Sequence, residues 1–217
     1  VCEKLVLQEI VQEDAPELFK ESFFSEVENL PEHEGLDEDL FTKMLSQGDE
    51  LSRHILPALN DHFGKFELVG VEEQLYENIE KPDAFSIGDR KFKGFIDLII
   101  KTPDGKYSII DWKTCGWGWD SRKKTDPMVT YQLTLYKHFF AKKHEIDSKQ
   151  IETYFALLKR TAKKDRAEIF RVTSGPKKTN NALKLLHNAL YNIENENFIK
   201  NRLNCKYCEL YKTQHCL

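Results

Sequence analysis

Apolar residues recur at helical intervals early in the chain and crowd into strand-like runs through its middle. Residues 14–30 read as an acidic helix. Leu40, Met44, Leu51, Ile55 and Leu59 keep near-helical spacing through Leu36–Phe63, with Gly48 as the candidate interruption. Strands are expected over Phe66–Leu75, Lys91–Thr102 and Lys106–Lys113, the last two parted by the turn signal Pro103-Asp104-Gly105. Pro127–Lys142 reads as a helix with Pro127 in its first turn. Strands at Ile151–Leu158 and Glu168–Val172 follow, then a helix over Lys177–Asn195 and a cysteine-bearing tail. Helices flanking a mixed sheet with an antiparallel component define an α/β class.

The hairpin carries the chemistry. Gly94-Phe95-Ile96-Asp97-Leu98-Ile99-Ile100 and Ile109-Ile110-Asp111-Trp112-Lys113 each place an acid where a buried strand position is normally apolar. Buried carboxylates need a compensating cation or hydrogen bonds. Thr102-Pro103-Asp104-Gly105 fits a type I turn with Pro at its second position, leaving Gly105 free for the left-handed conformation of a bulge. That loop pairs Thr102 with Lys106 and sets Asp97 opposite Asp111 on one face, with Phe95 beside Lys113. Ile96, Leu98, Ile100, Ile110 and Trp112 then form the core face. A two-residue Asp-Gly turn would put the acids on opposite faces; the proline favours the longer loop. Facing carboxylates with a lysine two residues along suit phosphodiester hydrolysis assisted by Mg²⁺ or Mn²⁺. The ion polarises phosphate and acidifies a bound water, and Lys113 orients that water or meets the developing charge. The plainer alternative is a structural Asp–Lys pair beside an edge-exposed acid.

Charge sharpens this picture. The 217 residues hold 32 Lys+Arg against 36 Asp+Glu, a net of −4. Residues 1–50 carry fifteen acids and three bases, so the remainder is net basic, a distribution that lets the body bind a polyanion. Basic residues concentrate in Lys159–Lys178, beginning with Lys159 and Arg160, and in Arg122-Lys123-Lys124. The latter follow Trp117 and Trp119, so bases could stack and phosphates be held there; the alternative is aromatic packing beneath a loop and solvated charge. No apolar run approaches the ~18 residues of a membrane span. Fourteen Phe, eight Tyr and three Trp argue against disorder. No signal-peptide pattern opens the sequence, and five cysteines, an odd number crowded late, do not suggest an extracellular disulfide framework. A cytoplasmic location is expected, in the host cell's cytoplasm if the source is viral.

Gly94-Phe95-Ile96-Asp97, Asp111-Trp112-Lys113-Thr114 and Gln132-Leu133-Thr134-Leu135-Tyr136, in this order, resemble the PD-(D/E)XK nucleases. More narrowly they are similar to the RecB-like exonuclease branch, which includes CRISPR-associated and phage nucleases; the likeness runs from roughly His54 to the C-terminus. It implies a restriction-endonuclease-like core at 64–195, an N-terminal helical segment at 1–63, and a Cys-containing tail at 196–217 packing on the same domain. By resemblance Asp97, Asp111 and the Trp112 carbonyl hold Mg²⁺ or Mn²⁺, and Lys113 is the catalytic lysine. Gln132 and Tyr136, four apart on one helical face, line the site or the DNA path. The branch usually adds an acid from the preceding strand, here Glu72 or else Glu73, of which alternation turns only one inward. It often adds a histidine from an N-terminal helix: His54, with His62 in reserve, against the reading of an ordinary helix histidine.

Cys205-Lys206-Tyr207-Cys208 with Cys216 can grip a soft metal, given a fourth ligand from His215 or Cys2. Resemblance implies a [4Fe–4S] cluster on Cys2, Cys205, Cys208 and Cys216; zinc and unliganded thiols remain alternatives, and Cys115 is expected as a lone thiol. The expected activity is a metal-dependent DNA nuclease working as an exonuclease or on ends and flaps. Its partners would be DNA that is single-stranded or has free ends, and a helicase or recombination protein. The alternatives are a non-catalytic nucleic-acid-binding protein on the same scaffold and a structure- or site-specific endonuclease.

Overall fold

The computed structural model describes residues 1–30, 37–80, 89–197, 205, 208–214 and 216. The 102–106 turn sets the register of everything around it. Thr102 N–H donates to the Lys106 carbonyl and Gly105 N–H to the Thr102 carbonyl, both at 2.9 Å, and Gly105 takes φ +82°. This is the three-residue loop with a glycine bulge, and it pairs Lys101 with Tyr107 and Leu98 with Ile110.

Five strands lie in the order β1 (Glu67–Asn78), β2 (Lys91–Lys101), β3 (Tyr107–Cys115), β4 (Ile151–Lys159), β5 (Ala167–Val172). Every neighbouring pair is antiparallel except β3–β4, which is parallel. A parallel step needs a crossover, and helix α6 (Pro127–Lys143) supplies it. Asp126 caps that helix by accepting from Met128 N–H at 2.9 Å, and Pro127 occupies its first turn.

α6 lays Leu133, Tyr136, Phe139 and Phe140 on one sheet face, against Leu75, Ile99, Ile109, Phe155 and Leu157. On the other face α1 (Cys2–Val6) and α4 (Ile55–Phe63) bring Val6 and Leu59 onto Leu98, Ile100, Ile110 and Ala156. Burying each such side chain contributes roughly 1.5–3 kcal/mol, so the sheet is clamped from both sides. α2 (Ala15–Glu28) and α3 (Glu38–Ser52) pair through Phe23 and Phe41, ring centres 5.3 Å apart. α5 (Ser121–Thr125) precedes α6, and α7 (Pro176–Glu194) packs on it.

Two expectations change. Gly48 does not interrupt the early helix: it lies inside α3, where a Cβ would fall 1.9 Å from Phe19 Cζ, so its missing side chain admits the Phe19 ring. The break falls instead at Arg53–His54. The short helices α1 and α5 had no periodic signal to announce them. No helix among the described residues is long and apolar enough to cross a membrane.

Candidate active site

The β2–β3 ladder stops at Leu98↔Ile110, one step short of the two aspartates. Asp97 Oδ2 accepts the Trp112 N–H at 2.7 Å, so a side chain takes the place of the next main-chain bond. Beyond that point β3 continues only with β4, to Cys115↔Lys159, while β2 continues only with β1, to Lys91↔Asn78. The sheet forks, and Asp97, Asp111 and Lys113 sit at the fork.

A second irregularity aims the acids. Val71 and Leu98 pack on the α1/α4 face. The next registered pair, Glu73↔Ile96, turns to the α6 face: Ile96 joins that core, and Glu73 meets Lys143 and His144 Nε2, the latter at 2.9 Å. Both strands therefore turn over at the intervening Glu72–Asp97 step. Glu72 has φ +46°, a backbone conformation uncommon for a residue with a Cβ. Strict alternation had put Ile96 with Leu98 and Ile100; the turn-over moves it to the opposite face. Of the two candidate acids, Glu72 lines the hollow beside Asp97, and Glu73 is held in ion pairs elsewhere.

Asp111 is 1% exposed. Its Oδ1 accepts from Gln132 Nε2 at 2.9 Å, and the same amide donates to Tyr136 Oη at 3.1 Å. Its Oδ2 lies 2.7 Å from Lys113 Nζ in an ion pair. Burial pushes the Asp111 carboxyl up to about 6; Lys113 opposes the rise and the Asp97 charge adds to it. Burial also raises Asp97, against the Trp112 N–H and Lys113, with Glu3 adding to it. Glu72 is raised by burial, then by Asp97 and Glu3.

Glu3, on α1, is thus a further acid of this site that the sequence reading missed. A five-residue helix has no periodicity to reveal which side chain turns inward, and no motif marks the position. Glu3, Glu72, Asp97, Trp112 and Cys2 line one hollow of about 290 Å³.

The donor set suits a hard divalent cation: oxygen donors, and carboxyls that raise one another. As they stand, no three His, Cys, Asp or Glu side chains among the described residues converge closely enough to hold an ion.

His54 is not brought to this group. Ile55 and Leu59 take the buried positions of α4, leaving His54 at its N-cap, 3.4 Å from Glu50. It lines a separate hollow with Asp61, His62 and Arg166. His62, the reserve, stacks edgewise on Phe63 and Tyr154. Nor does the structure gather Cys2, Cys205, Cys208 and Cys216 into a metal-holding group. None of them forms a disulfide; Cys2 lines the acidic hollow, its thiol pushed up to about 11 by burial, and His215 lies outside the described residues.

The expected nucleic-acid contacts divide. Trp117 is 74% exposed, and Arg122, Lys123 and Arg160 are exposed. Trp119 packs on Phe155 and Phe170, with Lys123 Nζ 4.5 Å from its ring centre. Lys159 is only 9% exposed and lies 3.5 Å from Glu168, which also holds Lys124. Lys159 is therefore a buried ion-pair partner and not an open phosphate contact, because β4 carries it beneath the β5 edge.

A mixed sheet with a helical crossover, an acid on each arm of a forked hairpin and a lysine two positions on is the restriction-endonuclease-like arrangement. The family model of the PD-(D/E)XK nuclease superfamily matches residues 5–213, and the chain belongs to that superfamily. No curated protein matches it. Among solved structures it is similar to the "Putative exonuclease" from Eubacterium rectale, at 14% identity and a TM-score of 0.53, covering 100% of this chain and 76% of that one. SSO0001 is a more distant likeness, at 17% identity and a TM-score of 0.45, covering 89% of this chain and 91% of that one.

Proposed function

We propose that this nuclease is a divalent-metal-dependent deoxyribonuclease that degrades DNA from ends, with Asp97, Asp111 and Lys113 at its centre. The observation that carries the reading is the fork itself. It leaves one buried and one half-buried carboxyl beyond the end of the ladder and sets a lysine 2.7 Å from the buried one. Asp97, Asp111 and Glu72, which lines the same hollow as Asp97, would hold Mg²⁺ or Mn²⁺. N–H and C=O of one residue leave a strand on the same edge, which turns the Trp112 carbonyl toward the same place as its N–H. When bound, the cation supplies charge neutralisation at the phosphate and a lowered pKa for water.

The chain's own residues do the rest. Water adds to phosphorus and the opposite P–O ester bond breaks, leaving a phosphomonoester and a hydroxyl. The Lys113 ammonium, poised on Asp111, stands where it can hold the attacking oxygen and offset charge growing on the phosphoryl oxygens. Gln132 spends one amide hydrogen on Asp111 and the other on Tyr136, so the carboxylate's orientation is fixed by α6. Exposed Trp117 with Arg122 and Lys123 offers a stacking and phosphate surface at the mouth. The exonuclease mode agrees with the name carried by the Eubacterium rectale structure.

The test is digestion of 5′- and 3′-labelled single and double strands, and of a circular control, with Mg²⁺, Mn²⁺ or EDTA. Cleavage of linear substrate that needs the metal and vanishes in Lys113→Ala is expected. Undiminished cleavage by purified Lys113→Ala would refute the assignment, and equal cutting of circles would refute the end-dependent mode.

A further inference from the structure

Away from the fork, two hollows of about 600 and 630 Å³ lie between α6, the end of β5 and the start of α7. They share Arg171 and the turn that follows it, through Pro176, so they form one elongated groove. Lys124, Tyr131, Arg171, Lys177 and Lys178 line one end; Lys137 lines the other. Two of the cations are balanced: Lys124 by Glu168, and Arg171 by Glu152 at 3.0 Å. Lys137, Lys177 and Lys178 form no ion pair among the described residues, and Lys178 Nζ donates only to the Thr173 carbonyl at 3.1 Å. Burial holds the Lys137 and Lys178 amines below their ordinary range; for Lys137 the neighbouring Arg171 charge adds to this, and Glu152 and Asp147 oppose it. A surplus of cations along a groove, Lys137 and Lys178 partly desolvated and Lys177 exposed, is a field that a polyanion relieves.

The groove is lined from the same elements that carry or follow the catalytic fork. Tyr131 precedes Gln132 on α6, so adjacent residues of one helix serve the groove and Asp111. Lys124 belongs to α5, the element reached directly from the β3 strand that bears Lys113. A strand that followed the chain from Lys113 past Trp117 and Lys123 would reach the Lys124–Tyr131 end first.

We propose that this groove carries the sugar-phosphate backbone of a single-stranded nucleic acid extending beyond the catalytic fork, an assignment that rests on the nuclease reading above. A net-positive channel with an aromatic ring along it is how single strands are held without sequence preference.

The measurement is fluorescence anisotropy of labelled oligothymidylates of roughly 6 and 24 nucleotides, in EDTA to prevent turnover, across a salt series. Lys177→Glu/Lys178→Glu weakens binding of the longer strand on the order of tenfold or more and lowers the salt slope by roughly one. The loss is smaller for the short strand. Lys137→Gln, a milder change at the far end, weakens only the longer strand. Lys43→Glu/Lys65→Glu, the same charge change outside the groove, leaves both affinities near the wild type. A loss equal at both lengths, or no larger than that of the Lys43/Lys65 control, overturns the proposal. So does an equal loss for a duplex of matching length. Normal metal-dependent cleavage with no length effect strikes the groove alone, whereas a wild-type protein that cleaves no strand removes the nuclease reading beneath it.

Discussion

Tyr136 lies so close over Gly94 that a Cβ on the glycine would come within 2.7 Å of its Cε1. The contact links the strand bearing Asp97 to the helix that orients Asp111, since Tyr136 Oη accepts from the same Gln132 amide that holds the Asp111 carboxylate. The glycine of the Gly94–Asp97 motif is thus required for close approach, and the tyrosine is a positioning residue.

Gly94→Ala follows directly. The added methyl must push the Tyr136 ring off the strand, at a cost of about 1–3 kcal/mol for overpacking. Urea unfolding would show it as a lowered midpoint. Removing the ring relieves the clash, so Gly94→Ala and Tyr136→Ala should be non-additive by ~0.5 kcal/mol or more. Strict additivity would mean the two residues do not touch.

Gln132→Leu preserves volume but strips Asp111 of its neutral donor. The expected result is a fall in kcat on the order of 10–100-fold, with KM for DNA little changed and Mn²⁺ affinity, read by calorimetry, reduced by a similar factor. A rise in KM with unchanged kcat would instead place Gln132 in the DNA path, as the motif alone allowed.

The fold and the pair of aspartates were legible because local turn chemistry dictates them. Pro103 and Gly105 admit one loop length, and that length fixes the register that the structure shows. The long helices and strands follow from period alone. What could not be read depends on tertiary partners. Gly48 reads as a helix breaker until Phe19 is seen to occupy its side-chain space. Ile96 reads as a neighbour of Leu98 until Glu72 turns both strands over. Lys159 reads as a surface cation until Glu168 is found across the β4–β5 ladder. Glu3 enters the site from a helix too short to have a pattern, and His54 misses it because Ile55 and Leu59 decide how α4 is rotated.

Glu72 combines a left-handed backbone with a carboxyl raised by burial and by Asp97 and Glu3. Asn tolerates that conformation far better and carries no charge. Metal-free Glu72→Asn should therefore be more stable than the wild type, by roughly 1 kcal/mol, while cleavage falls. A destabilised variant would show that Glu72 is held there by packing and not by its role.

Asp111 gives the metal-free protein a pH-dependent cost whose sign is fixed by its pKa of about 6, against an ordinary 3.8. Between those values the folded chain keeps a proton that the unfolded chain has released, so stability falls as pH rises through that window and the full cost is present above it. About two pH units correspond to roughly 3 kcal/mol, a figure already net of the Lys113 attraction, and an amide that replaces the protonated carboxyl imperfectly recovers part of it. Asp111→Asn should accordingly raise unfolding free energy by about 1–2 kcal/mol at a pH well above 6 and leave it almost unchanged near 4. Denaturation of EDTA-treated proteins at both pH values measures the difference. Saturating Mn²⁺ should reverse the order at high pH, because binding to the folded wild type adds stability as the logarithm of ligand over Kd while the variant has lost a donor. A gap that ignores both pH and Mn²⁺ would mean that the Asp111 carboxyl is neither strained by burial nor part of an ion site.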